Sequence, residues 1–170
     1  IVEAVEQQRL DLGALLALGL RREQGALRAV ATHAGLGHDL LWLVIDLAGS
    51  PFAHALLQGL FGSQPAGSPL RGALDVWPHG YCPLCGSWPT LVEVADGTRR
   101  LRCSFCAAAW ARAAGSCLYC GNASDTFRAV VPNPARPDRT VELCGGCRGY
   151  AKSVPVEASL PFPQIGRAHV

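Results

Sequence analysis

Cys82-Pro-Leu-Cys85-Gly86 opens the segment that decides the fold of the second half of this chain, and Cys144-Gly-Gly-Cys147 closes it. All eight cysteines of the 170-residue sequence lie within this segment. They form four Cys-x-x-Cys pairs: Cys82/Cys85, Cys103/Cys106, Cys117/Cys120 and Cys144/Cys147. A disulfide scaffold scatters its cysteines to join distant loops, whereas uniform two-residue gaps bring sulfurs together in pairs. The spacing therefore predicts tetrahedral metal sites rather than a disulfide framework.

The order of the pairs leaves two ways to build four-cysteine sites. Consecutive pairs give Cys-x2-Cys-x17-Cys-x2-Cys and then Cys-x2-Cys-x23-Cys-x2-Cys. The first spacing falls inside the usual range for four-cysteine metal sites and the second just outside it. A cross-braced arrangement would instead join the first pair to the third and the second to the fourth.

Two predicted hairpins favour consecutive pairing. Strand-like stretches at 91–95 and 98–102 flank Asp96-Gly97, which is the signal for a two-residue turn. This hairpin carries the first two cysteine pairs at its ends. A second pair of strand candidates, 127–131 and 140–143, would bring the third and fourth pairs together.

The loops around the cysteines indicate closed, structural metal sites. Gly86 and Gly121 each follow the second cysteine of a pair, where a positive φ lets backbone amides point at the sulfurs, as in zinc ribbons and rubredoxins. Four thiolates suit either iron or zinc, and the spacing does not choose between them. Because a closed site leaves no coordination position for a substrate, and no Ser/His/Asp set or phosphate-binding loop is found, we expect no enzyme activity.

The rest of the chain is predicted to be helical and then irregular. Residues 1–62 have apolar positions at helix spacing, interrupted by Gly35, Gly49 and Pro51, which predicts three or four short helices. We expect a linker at 63–78, a first metal module at 79–112, a second at 113–155 and a non-native or unstructured tail at 156–170. The predicted fold class is α+β: an N-terminal helical region followed by two rubredoxin-like or zinc-ribbon-like four-cysteine modules with short β-hairpins.

Composition excludes few classes of function. The most apolar stretch, residues 36–47, contains His38, Asp39 and Asp46 and is shorter than a membrane span, so we expect no membrane insertion. His33, His38 and His54 form no metal-binding cluster in the sequence, and we expect no ligand or catalytic role for them. Reduced thiolates that hold metal suit a cytoplasmic protein.

Charge argues against a nucleic-acid partner without removing that alternative. Residues 82–152 contain nine basic and five acidic side chains, a balance of +4. Two four-thiolate sites with divalent metal would carry about −2 each and cancel it. A nucleic-acid-binding zinc ribbon, the alternative function, would use these side chains: Arg99, Arg100, Arg102, Phe105, Trp110 and Tyr119. A thiol–disulfide oxidoreductase is a further alternative.

The ends of the sequence suggest a fragment. The chain begins at Ile1 and contains no Met. Residues 165–170, Ile-Gly-Arg-Ala-His-Val, match one reading frame of a common sequencing adapter, so we expect them to be a read-through artefact.

The motifs of the cysteine-rich half resemble the family of formate dehydrogenase accessory proteins, FdhE. The resemblance covers residues 77–152 and rests on the four cysteine pairs with their flanking residues. These include Trp77-Pro-His-Gly80 before the first pair, Trp110 four residues after the second, and Tyr150-Ala-Lys152 after the fourth. Ala107-Ala-Ala109 departs from the acidic or polar residues usual before this tryptophan, and the family's C-terminal helical extension is missing after about Pro155.

The resemblance implies a cytoplasmic, chaperone-like accessory protein that is needed for a respiratory formate dehydrogenase to become active. It implies binding to the catalytic subunit of that enzyme before export. It also implies two rubredoxin-like iron sites built by the eight cysteines, although zinc would fit as well. Trp110 and Tyr150 are expected to be core residues that flank the sites rather than partner contacts.

Overall fold

The computed structural model of the protein describes residues 2–7, 10–65 and 67–157, so most of the expected tail, from 158 onward, lies outside the described residues. The chain divides into two compact units, residues 1–62 and 63–170. The first unit is helical and the second carries the cysteines.

Four helices form the described part of the first unit: α1 (Val2–Glu6), α2 (Leu12–Leu20), α3 (Gln24–Ala34) and α4 (His38–Phe61). Asp11 caps α2 by accepting a hydrogen bond from the backbone N–H of Ala14. Gly35 ends α3 with a φ of 67°, in the left-handed region that glycine adopts easily. The expected break at Gly35 is therefore confirmed.

The breaks expected at Gly49 and Pro51 are wrong, because α4 continues through both residues. Proline removes one backbone donor from a helix. Tertiary packing outweighs this cost, since Leu41, Ile45, Gly49 and His54 form a buried stripe that runs past Pro51.

The helix α4 is longer than the apolar stretch on which the expectation about membrane spans was based. Over its 24 residues α4 is long and apolar enough to cross a membrane, by length and composition alone. The sequence estimate considered residues 36–47, which His38, Asp39 and Asp46 interrupt. Of its most apolar window 28% is buried, with Leu41 and Ile45 in the core of the helical unit.

The core of the helical unit brings α4 against the two helices before it, where Leu15, Leu27 and Ala31 are buried. A Cβ at Gly19 would collide with the Ile45 side chain, so glycine permits the close approach of α2 and α4. Arg22 pairs with Asp46 and stacks 4.3 Å from the centre of the Trp42 ring.

The second unit contains a short helix and a six-stranded sheet. The helix is α5 (Pro69–Asp75), which lies within the expected linker. The strands are β1 (Pro89–Ala95), β2 (Thr98–Cys103), β3 (Ala109–Ala111), β4 (Phe127–Val130), β5 (Thr140–Cys144) and β6 (Tyr150–Pro155). Their order in the sheet is β3-β2-β1-β6-β5-β4.

Both predicted hairpins are confirmed. Strands β1 and β2 pair antiparallel around Asp96 and Gly97, which have φ angles of 48° and 74°, and β4 pairs antiparallel with β5. The sequence did not predict that one sheet joins the two halves. The last strand, β6, pairs antiparallel with β5 and parallel with β1, with Val92 opposite Ser153.

Two ion pairs reinforce this sheet. Arg102 and Glu93 are 8% and 2% exposed and make two hydrogen bonds of 2.8 Å each. Arg99 on β2 reaches β5, where its guanidinium contacts the Glu142 carboxylate at 2.7 and 2.8 Å. The second pair thus connects strands from the two halves of the sheet.

Candidate metal centres

The first four-cysteine cluster lies at the end of the first hairpin. Cys82 and Cys85 precede β1, and Cys103 ends β2, with Cys106 in the loop that follows. The Sγ atoms of Cys82 and Cys106 are 3.6 Å apart, and those of Cys85 and Cys103 are 3.4 Å apart. All four sulfurs lie within 4.8 Å of one another.

The second cluster repeats this arrangement at the end of the second hairpin. The Sγ atoms of Cys117 and Cys147 are 3.6 Å apart, and those of Cys120 and Cys144 are 3.7 Å apart. These four sulfurs also lie within 4.8 Å of one another. The structure therefore shows consecutive pairing and not the cross-braced alternative.

The sulfur distances fit a tetrahedral metal ion. A metal–sulfur bond of about 2.3 Å corresponds to about 3.8 Å between two sulfurs at the corners of a tetrahedron. A disulfide would require about 2.05 Å, and all eight cysteines are free thiols. Each cluster could hold one metal ion, and the donor set suits both iron and zinc.

One loop geometry, which we call the knuckle, recurs at all four cysteine pairs. In each knuckle the backbone N–H of the first cysteine donates to the carbonyl oxygen five residues later. The residues after the second cysteines all have φ between 58° and 75°; they are Gly86, Ala107, Gly121 and Arg148. The sequence had indicated this geometry only at the two glycines, because alanine and arginine rarely adopt a positive φ.

Backbone and amide donors surround the sulfurs. The N–H groups of Leu84, Phe105 and Gly149 each lie 3.4 Å from the Sγ of the cysteine two residues earlier. The Asn122 side-chain amide lies 3.6 Å from the Sγ of Cys144. These donors favour the thiolate form, which is the form that binds metal.

Thiol pKa values differ within each cluster. The backbone N–H of Cys147 and then the Asn122 amide lower the pKa of Cys144 to about 6. Burial raises the pKa of Cys117 to about 12. In the first cluster, the thiols of Cys103 and then Cys106 hold the pKa of Cys85 far below its ordinary value. At least one sulfur in each cluster thus favours the thiolate form, and metal binding would release protons from the thiols whose pKa is raised.

The two clusters differ in their exposure to solvent. In the first, three cysteines are buried and Cys85 is half-buried. Phe105 and Trp110, both almost fully buried, lie close to it in the sequence. In the second cluster, Cys120 and Cys147 are exposed.

The residues expected for a nucleic-acid surface are engaged elsewhere. Arg99, Arg100 and Arg102 pair with Glu142, Asp75 and Glu93 respectively. Phe105 and Trp110 are buried, so neither can stack on a base. Among the side chains proposed for that alternative, Tyr119 is partly accessible.

The expectation for the two flanking aromatic residues is half right. Trp110 is 0% exposed, and its indole N–H donates to the carbonyl of His79 at 3.2 Å. Tyr150 is 58% exposed, so its assignment to the core is wrong. The reason is its position at the start of β6, where its side chain lies on the open face of the sheet beside Leu143. Ala107 and Ala108 are buried, which accounts for small side chains before Trp110.

An aromatic cluster that the sequence analysis missed connects the two sets of knuckles. The rings of Trp88 and Tyr119 have centroids 5.1 Å apart, and those of Tyr81 and Trp88 are 6.1 Å apart. Tyr81 precedes Cys82, whereas Tyr119 lies between Cys117 and Cys120. A Cβ at Gly80 would collide with the carbonyl oxygen of Leu118, so backbone from the two halves also meets here.

Fold and clusters together define a class: an α+β protein with a helical unit and one mixed sheet that carries two four-cysteine, metal-binding modules. No family model matches the sequence. Three curated relatives are proteins called FdhE homologues. The chain is 31% identical to the one from Aquifex aeolicus over 83 residues, which is 46% of this chain and 29% of that protein.

The Pseudomonas putida relative is 30% identical over 112 residues, 60% of this chain and 35% of that protein. The Shewanella oneidensis relative is 34% identical over 82 residues, 46% of this chain and 27% of that protein. The chain thus spans about a third of the length of the curated relatives it matches. These sequence matches support the FdhE family for this chain. The crystal structure of the FdhE protein from Pseudomonas aeruginosa aligns with 91% of this chain and 67% of that chain, at 22% identity and a TM-score of 0.47.

Proposed function

We propose that this chain belongs to a cytoplasmic accessory protein that binds the catalytic subunit of a respiratory formate dehydrogenase and is needed for that enzyme to mature. The proposal combines the similarity to FdhE homologues with the two four-cysteine clusters. The clusters carry the argument, because each brings four sulfurs within 4.8 Å of one another on a single sheet.

Closed sites favour a supporting role over catalysis. Four cysteine ligands complete the coordination of a tetrahedral ion and leave no position for a substrate. The metal would instead hold the knuckles together, and the shared sheet would hold the two modules as one body. We therefore propose a chaperone-like binding protein rather than an enzyme.

The ligands in this proposal are the eight cysteines, with one iron ion in each cluster. Protein prepared without oxygen should contain two iron ions per chain and show visible absorption bands from thiolate-to-iron charge transfer. Two zinc ions in protein expressed with ample iron would overturn iron as the native metal while leaving both sites in place. One metal ion or none would contradict the assignment of the ligands.

Binding to the enzyme is tested by copurification. Tagged protein loaded with metal should retain the catalytic subunit of a formate dehydrogenase from the same source. Cys103→Ser should abolish retention because it removes a buried ligand, whereas Ser104→Ala, an exposed neighbour in the same knuckle, should leave it unchanged. Retention by Cys103→Ser at the level of the unchanged protein would refute a link between the clusters and partner binding.

A further inference from the structure

Three cations of the cysteine-rich unit make no side-chain hydrogen bond or ion pair with another described residue. Within the described part of the chain, no acidic side chain pairs with Arg128, Arg148 or Lys152, and all three are exposed. By contrast, the three arginines of β2 all bind carboxylates. The free cations belong to β4, to the fourth knuckle and to β6.

Strand register places the free cations on one face of the sheet. Arg128 lies opposite Leu143, which lies opposite Tyr150; in the adjacent row, Val130 lies opposite Val141, which lies opposite Lys152. Residues directly opposite each other share a face. We call this surface the basic face: Arg128, Val130, Val141, Leu143, Tyr150 and Lys152, with Arg148 at its margin.

The basic face has a charged rim and an aliphatic centre. Arg128 and Lys152 are at opposite corners, because they lie two strands apart and in different rows. Val130, Val141 and Leu143 between them are half-buried. Glu142 on β5 points to the other side of the sheet, where it holds Arg99. No acidic side chain of strands β4 to β6 therefore shares the basic face.

A groove continues the basic face toward the second cluster. Its volume is about 560 Å³, and its walls include Tyr119, Cys147, Arg148, Tyr150 and Lys152. The Tyr119 hydroxyl donates to the carbonyl of Tyr150 at 3.0 Å, which fixes one wall. A Cβ at Gly149 would lie 2.6 Å from the Tyr119 ring, so glycine is required for this close approach.

Arg148 places an exposed charge at a backbone position that glycine fits best. Its φ is 60°, as at the equivalent Gly86 and Gly121, where glycine has no steric cost. Backbone strain at a non-glycine residue is typical of functional sites. The guanidinium is exposed in the groove and forms no ion pair among the described residues.

We infer that the basic face and its groove bind an acidic, partly apolar segment of the partner protein in an extended conformation. This inference rests on the proposed function for the existence of a partner and adds the surface and its chemistry. In an extended segment, side chains two residues apart are about 6.6 Å apart and point the same way. Alternating carboxylates could therefore meet the rim while aliphatic side chains cover the centre.

A nucleic acid fits the basic face less well. Its centre is aliphatic, and the rings available to bases, Tyr150 and Tyr119, lie at one corner and in the groove wall. A divalent metal ion in the second cluster would leave a charge of about −2 beside Arg148, which repels a phosphate backbone.

The first test uses a fluorescein-labelled 12-residue peptide of alternating glutamate and leucine, added to the metal-loaded full chain. Fluorescence anisotropy should show binding that weakens as salt is raised, because exposed ion pairs are screened. A lysine–leucine peptide and a 12-nucleotide oligouridylate serve as comparison probes. Failure of the acidic peptide to bind, or tighter binding of the oligouridylate, would overturn the inference.

Matched charge reversals locate the binding surface. Lys152→Glu should weaken binding of the acidic peptide about tenfold. Arg136→Glu changes the net charge equally on an exposed loop of the same unit, where Arg136 lies near Asp138, and should leave binding unchanged. Equal affinities for Lys152→Glu and Arg136→Glu would overturn the assignment to the basic face.

The variant Arg148→Gly distinguishes a role of the Arg148 side chain in peptide binding from a role in folding. Glycine suits the positive φ, so this variant should melt at the same temperature as the unchanged protein or higher, while it binds the peptide about tenfold more weakly. A lower melting temperature together with unchanged binding would show that Arg148 serves the fold alone and would contradict the inference.

The same variants distinguish this inference from the proposed function. If the formate dehydrogenase subunit binds and Lys152→Glu has no effect on it, the basic face is the wrong surface and the proposed function stands. If the subunit does not bind and the acidic peptide still binds through Lys152 and Arg148, the proposed function fails and the surface remains a site for acidic segments.

Discussion

The two metal clusters share their ligands and their knuckle geometry but differ in protection. The first keeps three of its cysteines buried, and Phe105 and Trp110 are buried residues of its half of the sheet. The second leaves Cys120 and Cys147 exposed next to an open groove. The difference shows that cysteine spacing determines how a site is built, whereas the surrounding sheet determines how far solvent and reagents can reach it.

Removal of metal should have the largest effect on stability. The second cluster should lose its metal before the first. A structural four-cysteine site contributes on the order of 10 kcal/mol to folding, which is more than a unit of this size can lose. A thiol-specific chelator should therefore unfold the cysteine-rich unit. Circular dichroism measures this unfolding. The second cluster should release its metal first because two of its sulfurs are accessible. Simultaneous release from both clusters would contradict the difference in protection.

Loss of a single ligand should separate the two clusters. Cys103→Ser places a hydroxyl at a buried position and should cost the first metal and the cooperative melting of the sheet. Cys147→Ser places it at an exposed position, where water can solvate the hydroxyl, and should cost the second metal while the first hairpin stays folded. Metal content and thermal melting measure both outcomes. Equal loss of structure in the two variants would argue that exposure does not matter.

Replacing a buried and an exposed aromatic residue by alanine should show the same difference between the two halves of the sheet, with smaller losses of stability. Trp110→Ala leaves a cavity in the core and should reduce the free energy of unfolding by about 3–5 kcal/mol. Tyr150→Ala removes an exposed ring and should cost less than about 1 kcal/mol. Denaturant titration of the metal-loaded protein measures both values. A large loss for Tyr150→Ala would mean that its ring supports the second module despite its exposure.

Alanine substitutions at the two knuckle glycines should have the smallest effects on stability, and these should be equal in the two clusters. Gly86 and Gly121 have φ angles of 73° and 75°, and no atom lies within 4 Å of a Cβ placed at either. Alanine at each position should therefore cost only the backbone term, about 1 kcal/mol. Melting of Gly86→Ala and Gly121→Ala measures it. Unequal costs would show that the knuckles differ in more than their surroundings.

Local patterns predicted the parts of the molecule that local chemistry controls. Asp96-Gly97 set the first hairpin, and that hairpin in turn set consecutive pairing of the cysteines. The parallel pairing of β1 with β6 escaped prediction because it joins residues about 60 positions apart through register alone. Pro51 was misjudged for a similar reason, since the buried stripe of α4 outweighs the preference of proline to end a helix.

Exposure was the property that the sequence predicted least well. Tyr150 resembles Trp110 as an aromatic residue close to a cysteine pair, and both were assigned to the core. Trp110 lies on the edge strand β3, against which α5 packs, whereas Tyr150 lies on the open face of β6. Which face a strand presents to solvent depends on the elements that cover it, and these follow from the assembled sheet.

The parallel pairing of β1 with β6 also orders events during synthesis. Strand β1 leaves the ribosome about 60 residues before its neighbour Tyr150–Pro155 does. Until then the nascent hairpin has an unpaired edge, the kind of edge that other chains can join. A metal ion bound early at the first cluster would hold that hairpin in shape while translation continues. The timing of metal supply during translation is therefore expected to govern how much of the nascent chain reaches the folded state rather than aggregating.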